Sequence, residues 1–336
     1  MNKSRHNGND DWPALEIRPF APGDERAIND GFNEIFQQQR PLKEWERKFR
    51  IDGQDPKIMV CVDRAGRIVA HYGATTQIFA VNGRSFVAGQ IVDSYALRRS
   101  DVVAGGLFVK TAHAFFEHFC GPGKLEIIYG FPGLRALRLG RLKLGYDFTW
   151  PVTVWRRSTQ PGWLRAARQA IFPRPSPVGE ETLAQADALW SRAQSAWSPG
   201  MVRDRAWLDA RRIGIGGVPY EVVAQARNDA LSAWAIFESS SAITRIVDIL
   251  WDGRDIRCLS AILDRIAVNA RQRGSLEIEL WSPAFGCLAQ GLGRLGWTHD
   301  DEPRGCHVGI RVFSADIEPA DVSGGFHYAF GDSDLI

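Results

Sequence analysis

Apolar and polar positions along the chain predict two series of elements in the same order. Runs with the composition and spacing of β-strands come in two groups of three: 57–62, 67–80 and 85–97, then 220–226, 231–238 and 243–251. After each group, the pattern predicts a helix, a strand, a second helix and a final strand. Before the groups, it predicts a strand over 14–20 and helices over 24–38, 42–50, 180–197 and 203–213.

Turn and boundary residues define the elements that follow each group of strands. In the first series these are a helix entered at Gly105-Gly106, a strand over 125–129, a helix over 133–144 and a strand over 147–155. In the second series they are a helix over 255–273, a strand over 276–281, a helix over 284–295 and a strand over 307–313. One more short strand is predicted over 326–330, followed by an acidic tip that we expect to be solvated.

Part of each series also repeats in sequence, without a gap. The matching positions, 151 residues apart, are Leu125-Glu126-Ile127, Pro132, Gly140 and Leu144-Gly145-Tyr146, then Leu276-Glu277-Ile278, Pro283, Gly291 and Leu295-Gly296-Trp297. Upstream, a second echo pairs Ile91-Val92-Asp93 with Ile246-Val247-Asp248. Two copies of one supersecondary unit are the simplest interpretation. Residues 13–155 are called the first copy below, and residues 180–330 the second copy.

Length, charge and cysteine content narrow the class of protein. A chain of 336 residues is long enough for two domains, so we expect one domain per copy after a disordered lead-in over 1–12. The net charge of +2 provides no global field for nucleic acid or an acidic membrane. Five cysteines without a CxxC pair argue against a zinc site or a disulfide framework and fit the cytoplasm. No signal peptide and no membrane span is predicted.

Residues 156–179 between the copies are basic and rich in proline. Five arginines and no acidic residue surround Trp163, Leu164, Ile171 and Phe172 within 156–174. Two interpretations are open. The segment is either an interdomain linker that packs its apolar side on the protein, or a basic amphipathic patch for a membrane surface.

The order of the elements and two stretches of sequence carry a family resemblance. One stretch joins Gly89–Leu97 to Ala104-Gly105-Gly106-Leu107-Phe108, and the other runs from Ile127 through Pro132 to Leu144-Gly145-Tyr146. This arrangement resembles the GCN5-related N-acetyltransferase (GNAT) superfamily. The resemblance implies an α/β fold of the α+β type, with two tandem acyl-CoA N-acyltransferase-like units that each have a mixed central sheet flanked by helices.

The resemblance also implies acetyl-CoA as the co-substrate, bound by the first copy. The implied contacts are Tyr95, Ala96, Leu97, Ala104, Gly105, Gly106, Leu107 and Phe108. Backbone N–H groups at a glycine-rich helix start can bind a pyrophosphate, and a strand edge can pair with an extended pantetheine arm. The family loop usually reads Arg/Gln-x-x-Gly-x-Gly/Ala, whereas this chain has Asp101 at the first position and Ala104 at the fourth. The second copy has Trp251-Asp252-Gly253-Arg254-Asp255 there, so we expect it to be degenerate.

Acyl transfer to an amine needs a base for the amine and an acid for the departing thiolate. Asp93 lies where many GNAT enzymes hold an acidic base; the alternative is a structural aspartate bonded to a neighbouring hydroxyl. The family's tyrosine is missing from 133–145, and Tyr129 and Tyr95 are the nearest substitutes. Tyr129 could instead be a core aromatic with its hydroxyl satisfied. His71 and Tyr72 are predicted to line the acceptor pocket, although a lone strand histidine is more often a core residue.

Together these features predict an N-acyltransferase that moves an acetyl group from acetyl-CoA to a small amine, such as an amino sugar or an amino-acid-like metabolite. We expect no metal and no nucleic-acid partner, and a monomer or a homodimer. Two alternatives stay open: a tandem GNAT that binds a metabolite or a protein without turnover, and a FemABX-like aminoacyl transferase. The near-neutral charge argues against the second, which would bind tRNA.

Overall fold

The computed structural model describes residues 15–49, 56–97, 104–160, 179–214 and 217–334. The predicted lead-in over 1–12 and most of the 156–179 segment lie outside the described residues. The chain divides into two compact units. Met1–Thr75 and Ile91–Gly121 form the first, and Thr76–Gln90 and Pro122–Ile336 form the second.

Helices and strands follow the predicted mixed order in both series. Up to residue 158 the elements are β1 (Glu16–Pro19), α1 (Glu25–Phe36), α2 (Leu42–Phe49), β2 (Lys57–Val62), β3 (Ile68–Val81), β4 (Arg84–Ala96), α3 (Ala104–Phe119), β5 (Ile127–Gly130), α4 (Leu134–Lys143), β6 (Phe148–Pro151) and β7 (Thr153–Ser158). From residue 180 they are α5 (Glu180–Leu183), α6 (Ala186–Trp197), β8 (Gly200–Met201), α7 (Arg205–Arg211), β9 (Glu221–Arg227), β10 (Ala230–Ser239), β11 (Ile243–Trp251), α8 (Ile256–Gln272), β12 (Glu277–Trp281), α9 (Gly286–Arg294), β13 (Thr298–Asp301), β14 (His307–Val312), α10 (Pro319–Ser323) and a 3₁₀ turn at Phe330–Asp332.

In the first unit, helices cover both faces of an antiparallel sheet with the order β1-β2-β3-β4. α1 and α2 cover one face, where the buried core consists of Ile28, Trp45, Phe49, Ile58, Val60, Val62, Ile68 and Val92. α3 covers the other face, where the core consists of Cys61, Val69, Ala70 and Leu107. Val60 and Cys61 belong to different cores because consecutive residues of a strand point to opposite faces.

In the second unit, the strand order of the first sheet continues as β3-β4-β5-β14-β6, with β8 paired to β3. β4 and β5 form a short parallel ladder in which Ala88, Gly89 and Gln90 pair with Ile127, Ile128 and Tyr129. β14 is antiparallel to both β5 and β6. The apolar side chains of this unit form one large core, which includes the fully buried Phe79, Trp234 and Trp281.

The second sheet also lies in the second unit and has the order β9-β10-β11-β12-β7-β13. β9, β10 and β11 form an antiparallel meander, and β12 is parallel to β11. β7 lies between β12 and β13 and is antiparallel to both. The pairing pattern is therefore that of the first copy: a meander, one parallel strand, and two final antiparallel strands.

The final strands are exchanged between the copies. β7 follows the first copy in sequence but pairs in the second sheet, and β14 follows the second copy but pairs in the first. The prediction of a single strand over 147–155 is therefore wrong. β6 ends at Pro151, which has no N–H to continue a ladder, and Val152 donates its N–H to the carbonyl of Cys306 at 3.0 Å.

Two further expectations about loops are wrong. Residues 326–333 are buried, and no strand forms over 326–330: the segment has a single bridge at His327 and leads into the 3₁₀ turn. Phe326 and Phe330 pack in the core, and Asp332 is paired with Arg203. Gly105 and Gly106 do not form a turn before α3, because the helix already begins at Ala104.

Candidate functional site

Asp93 lies near the end of β4, past the last pair that β4 forms with β5. Its φ of 51° is in the left-handed region, which aspartate tolerates better than most other side chains. The buried carboxylate bonds to two cations: Arg40 Nη1 lies 2.5 Å from Oδ2, and Lys48 Nζ lies 2.7 Å from Oδ1. Burial alone would raise the pKa of Asp93, but the charges of Lys48 and Arg40 outweigh it and hold the pKa below its ordinary value. Asp93 is thus a paired carboxylate, and its role as a base stays a prediction.

Arg40 is fixed by residues of α1. Its Nε donates to Asn29 Oδ1 at 2.8 Å, and its backbone carbonyl accepts hydrogen bonds from Asn29 and Asn33. The guanidinium carbon lies 3.8 Å from the centroid of the Phe32 ring, a cation–π distance. These contacts set the direction of the guanidinium before any ligand binds.

His71 lies in β3 with its side chain fully buried on the α2 side of the sheet. Its Nδ1 is 2.9 Å from the backbone oxygen of Asp93; because a carbonyl only accepts, Nδ1 carries the proton and Nε2 the lone pair. The ring stacks on Tyr95 at a centroid distance of 5.5 Å, and a Cβ at Gly73 would lie 2.8 Å from His71 Cε1. Burial lowers the pKa of His71 to about 4, so the ring is neutral at pH 7.

Tyr95 and Tyr72 lie on opposite sides of the first sheet. The Tyr95 hydroxyl donates to the backbone carbonyl of Ile28 at 3.1 Å, and burial raises the pKa of Tyr95 above its ordinary value. Tyr72 packs against α3, with its ring centroid 5.5 Å from that of Phe108. The structure therefore brings Tyr95 to the side of Asp93 and leaves Tyr72 on the other side.

The predicted cofactor strand is the last part of β4. Among the described residues, the pairs between β4 and β5 end at Gln90, so residues 91–96 continue without a β5 partner. Leu97 donates its N–H to the carbonyl of Val69 at 2.9 Å, which attaches the end of this strand to β3. Ala96 and Leu97 are partly buried. Residues 98–103, with Asp101, lie outside the described residues.

The predicted cofactor helix is α3, which begins at Ala104. Gly105 and Gly106 are in its first turn, where backbone N–H groups have no acceptor within the helix. Leu107 is buried in the core below the helix, and Phe108 is partly buried. The first turn of α3 therefore provides backbone N–H donors and the positive end of the helix dipole, and two of its residues are glycines, which have no side chain.

Tyr129 lies in the second unit, and its side chain is fully buried. Its hydroxyl donates to Gln77 Oε1 at 2.6 Å, and Gln77 donates to Gln90 Oε1 at 3.0 Å. Its ring contacts Phe326 edge-on at 5.7 Å, and burial raises the pKa of Tyr129 well above its ordinary value. This geometry is that of a satisfied core tyrosine, which is the alternative that the sequence left open.

Asp248, the repeat equivalent of Asp93, forms a similar ion pair in the second copy. Arg203 Nε donates to Asp248 Oδ1 at 2.9 Å, and Trp207 Nε1 donates to Oδ2 at 2.7 Å. The other side of the guanidinium binds Asp332, with Nη2 2.6 Å from Oδ2, and Nη1 donates to the carbonyl of Met201. Burial raises the pKa of Asp332 against the attraction of Arg203.

Residues 326–333 pack beside the last part of β11, the second-copy strand that corresponds to β4. The pairs between β11 and β12 end at Ile246, and beyond them Phe330 stacks on Trp281 at a centroid distance of 4.4 Å. A Cβ at Gly331 would lie 3.3 Å from the carbonyl of Val247. The position that corresponds to residues 91–96 of β4 is therefore occupied by residues 326–333 of the chain itself.

The start of α8 is also occupied. Asp255 is its N-cap residue, and its carboxylate accepts the backbone N–H of Arg257 at 2.9 Å. The Arg257 and Arg227 side chains bind the same carboxylate. The anion position at this helix start is thus taken by an aspartate of the protein, as a capping residue normally takes it.

The sequence predictions missed Arg40, Lys48, Arg203 and Asp332. A signal for the two arginines exists: each stands two residues before the helix that precedes a strand meander, Arg40 before α2 and Arg203 before α7. No local sequence pattern indicates Lys48 or Asp332, because each is brought to its ion-pair partner only by the fold.

Neither a metal centre nor a membrane-spanning helix is found in the described part of the chain. No group of three His, Cys, Asp or Glu side chains in that part could hold a metal ion. No helix there is long and apolar enough to cross a membrane.

The chain shows no match to a protein-family model or to a curated protein sequence. Solved structures do match it over most of its length. A probable N-acyltransferase from Enterococcus faecalis superposes with a TM-score of 0.63 at 13% identity, over 89% of this chain and 72% of its own. A GCN5-related N-acetyltransferase from Anabaena variabilis gives 0.61 at 13% identity, over 89% and 73%. N-myristoyltransferase from Saccharomyces cerevisiae, with bound myristoyl-CoA, gives 0.57 at 9% identity, over 97% and 89%.

These similarities establish the fold. The chain has the fold of the GCN5-related N-acetyltransferases, with two mixed sheets flanked by helices, and the predicted fold class is confirmed. At identities of 9 to 13%, they leave the activity to be argued from the residues.

Proposed function

We propose that this protein is an acyl-CoA-dependent N-acyltransferase in which the first copy binds both substrates. The observation that carries the proposal is the difference between the copies. In the second copy, Asp255 occupies the helix start and residues 326–333 occupy the strand end. In the first copy, the described residues place glycines at the start of α3 and no β5 partner on residues 91–96 of β4.

The acyl donor is proposed to be acetyl-CoA. Its pyrophosphate would bind the N–H groups of the first turn of α3, where Gly105 and Gly106 let the backbone approach a phosphate closely. Its pantetheine arm would pair with the edge of β4 over residues 91–97, as an added strand does. Acyl-CoA is also the ligand of the myristoyltransferase that shares the fold.

The reaction joins the nitrogen of a neutral amine to the thioester carbonyl carbon. The C–N bond forms, the C–S bond breaks, the amine loses one proton, and the CoA thiolate takes up one proton. Asp93 is poorly placed to accept the amine proton, because its pKa is low and both of its oxygens bond to cations. We therefore propose that Asp93 holds Arg40 and Lys48 and fixes the tautomer of His71.

The acceptor is proposed to be a small amine, such as an amino sugar or an amino-acid-like metabolite. The protein would act as a monomer or a homodimer, without nucleic acid. All five cysteines are free thiols, which fits the reducing cytoplasm that we propose.

Titration calorimetry with acetyl-CoA and thiol-release assays with a panel of amines test the proposal. We expect one acetyl-CoA per chain and release of CoA thiol. Gly106→Glu adds a carboxylate at the start of α3 and should weaken acetyl-CoA binding by at least about tenfold. Gly293→Glu is the matched control, because a Cβ at Gly293 in α9 meets no atom within 4 Å. No heat at millimolar acetyl-CoA, or equal affinity in Gly106→Glu, would overturn the proposal.

A second candidate function is a binding module without turnover. The ion-paired Asp93 and the absence of tyrosine from 133–145 favour it. It predicts that acetyl-CoA binds but that no amine releases CoA thiol. A FemABX-like aminoacyl transferase would need a surface for tRNA, which the net charge of +2 does not favour.

A further inference from the structure

Two polar atoms beside Asp93 have no hydrogen-bond partner among the described residues: Arg40 Nη2 and His71 Nε2. Both residues are bonded to Asp93, Arg40 through Nη1 and His71 through Nδ1. The Arg40 side chain is only 10% exposed, and His71 is fully buried. One atom is a cationic donor and the other a neutral acceptor, so a ligand that satisfies both must offer an acceptor group and a donor group.

The second copy shows which group satisfies the equivalent arginine. Arg203 bonds to Asp248, the repeat equivalent of Asp93, and stands two residues before α7 as Arg40 stands before α2. Its Nη2 binds a carboxylate, that of Asp332, at 2.6 Å. The two arginines bond to their aspartates through different nitrogens, Nη1 in Arg40 and Nε in Arg203. In each, Nη2 is left for another partner: that of Arg203 binds a carboxylate, and that of Arg40 has no partner among the described residues.

We infer that the acceptor of the first copy is an amino carboxylate. Its carboxylate binds Arg40 Nη2 as Asp332 binds Arg203, and one N–H of its amino group is accepted by His71 Nε2. This acceptor class presupposes the proposed N-acyltransferase function and narrows it to amino acids and related compounds. A bound carboxylate would also pair a buried guanidinium N–H that has no partner among the described residues.

The surroundings of Arg40 favour an apolar substituent on the amino acid. Phe32 lies under the guanidinium, and its ring centroid is 4.8 Å from that of Phe36. Phe36 and its neighbour Ile35 are 43% and 36% exposed at the end of α1. An apolar side chain could cover these exposed groups while the carboxylate binds Arg40.

This arrangement leaves the amine ready for acyl transfer. With one N–H bonded to His71, a neutral amine keeps its lone pair for the thioester carbonyl carbon. The C–N bond forms as the C–S bond breaks, one amine proton is lost to solvent, and the thiolate takes up a proton from solvent. The products are an N-acetylamino carboxylate and CoA thiol. His71 acts here as a positioning residue.

Matched acceptors that differ only in the carboxylate test the inference. L-Phenylalanine is compared with 2-phenylethylamine, and L-leucine with 3-methylbutylamine, by thiol release at equal concentrations of neutral amine. We expect kcat/KM to be about 10- to 100-fold higher for the member with a carboxylate, since a charge-assisted hydrogen bond is worth about that factor. Equal values within each pair, or higher values for the plain amines, would overturn it.

Arg40→Lys sharpens the test because it keeps a cation beside Asp93 and removes Nη2. We expect the ratio of kcat/KM between each amino acid and its plain amine to fall about tenfold or more, through a higher KM for the amino acid. A purely structural role of Arg40 would instead lower activity equally for both. Arg84→Lys is the control, because Arg84 is a 57% exposed residue paired with Asp316. Circular dichroism and thermal unfolding verify that each variant is folded.

A binding experiment distinguishes a failure of carboxylate recognition from a failure of the proposed turnover. Calorimetry measures L-phenylalanine and 2-phenylethylamine against the wild-type chain and Arg40→Lys, without acetyl-CoA. Binding of L-phenylalanine that Arg40→Lys weakens supports carboxylate recognition even if no CoA is released, in which case only the proposed turnover fails. Turnover of plain amines together with no preference for carboxylates would leave the proposed function intact and overturn the inference.

Discussion

The two copies each pair an arginine with an aspartate of the third meander strand, β4 or β11, but the surroundings of the two pairs differ. In the second copy, Arg203, Asp248 and Asp332 are all fully buried, and every nitrogen of the guanidinium has a partner. In the first copy, Asp93 shares its charge between Arg40 and Lys48, which is 23% exposed. A duplicated unit can thus keep an Arg–Asp ion pair in both copies while the other partners of the arginine differ between them.

The two copies also differ at the N-terminus of the helix that follows the strand meander. α8 is capped by Asp255, whose carboxylate takes the backbone N–H of Arg257, whereas α3 begins with Ala104-Gly105-Gly106. An acidic cap and a bound pyrophosphate compete for the same backbone donors. The proposal that the first copy binds the acyl donor therefore rests on two differences at this helix start: the second copy lacks the paired glycines, and it places a carboxylate of its own there.

Replacing the arginine of the Arg–Asp pair is expected to have the largest effect on stability, and the size of this effect should differ between the copies. Arg203→Met leaves Asp248 and Asp332 buried without their cation, and we expect a loss of about 3–5 kcal/mol in the free energy of unfolding. Arg40→Met leaves Asp93 paired with Lys48 and should cost about 1.5–3 kcal/mol. Urea unfolding measures both, with the exposed Arg84→Met as the control at no more than about 1 kcal/mol. A larger loss for Arg40→Met would contradict the comparison.

The repeated glycines of α4 and α9 should respond alike, because they serve packing in both copies. A Cβ at Gly140 would lie 2.5 Å from the ring of Tyr146, and one at Gly291 would lie 2.6 Å from Leu259 Cδ2. Each substitution to alanine should destabilise by up to about 3 kcal/mol through overpacking. Gly293→Ala has open space and should stabilise α9 by up to about 1 kcal/mol. Thermal and urea unfolding of the three variants distinguish these outcomes, and a neutral Gly140→Ala would disagree with the packing described for α4.

Acidification should weaken both units through one buried histidine each. Burial lowers the pKa of His71 and of His327 to about 4, whereas an unfolded histidine titrates near its ordinary pKa of about 6.5. Between these values the unfolded chain binds the proton and the folded chain does not, so stability is full above the unfolded pKa and falls as the pH decreases. From pH 7 to 5 the expected loss is about 2 kcal/mol per histidine.

Urea unfolding at pH 7 and pH 5 checks this expectation with His71→Gln and His327→Gln. Each variant should lose its own share of the pH dependence, whatever its effect on stability at pH 7. An unchanged dependence in His71→Gln would mean that the pKa of His71 is the same in the folded and the unfolded chain, which conflicts with its burial as a neutral ring.

The fold was predictable because its signals are local. The spacing from Leu125 to Tyr146, repeated from Leu276 to Trp297, marks a strand, a helix and a tight turn, all formed by neighbours in sequence. The exchange of β7 and β14 was not predictable. Each is the second of two short strands that follow the repeated helix and turn, so the local sequence does not distinguish the sheet it joins, and only the packing of the whole chain selects the partner.

The candidate site was predictable only in part, for a similar reason. The echo identified Asp93, but its partners Arg40 and Lys48 stand 53 and 45 positions away and become neighbours only in the fold. Tyr129 was predicted as a substitute for the tyrosine missing from 133–145, yet its side chain points into the core, because a shift of one residue along a strand moves a side chain to the other face. His71 and Tyr72 are consecutive residues of β3, and their side chains likewise lie on opposite faces of the sheet.

A crystal structure of the protein soaked with acetyl-CoA would show directly which copy binds the acyl donor. We expect one cofactor per chain, with its pyrophosphate at the N–H groups of Gly105 and Gly106 and its pantetheine arm along residues 91–97 of β4, while residues 326–333 and Asp255 keep their places. A cofactor bound along β11 with Phe330 displaced from Trp281 would contradict it, because the second copy would then be the one that binds the acyl donor.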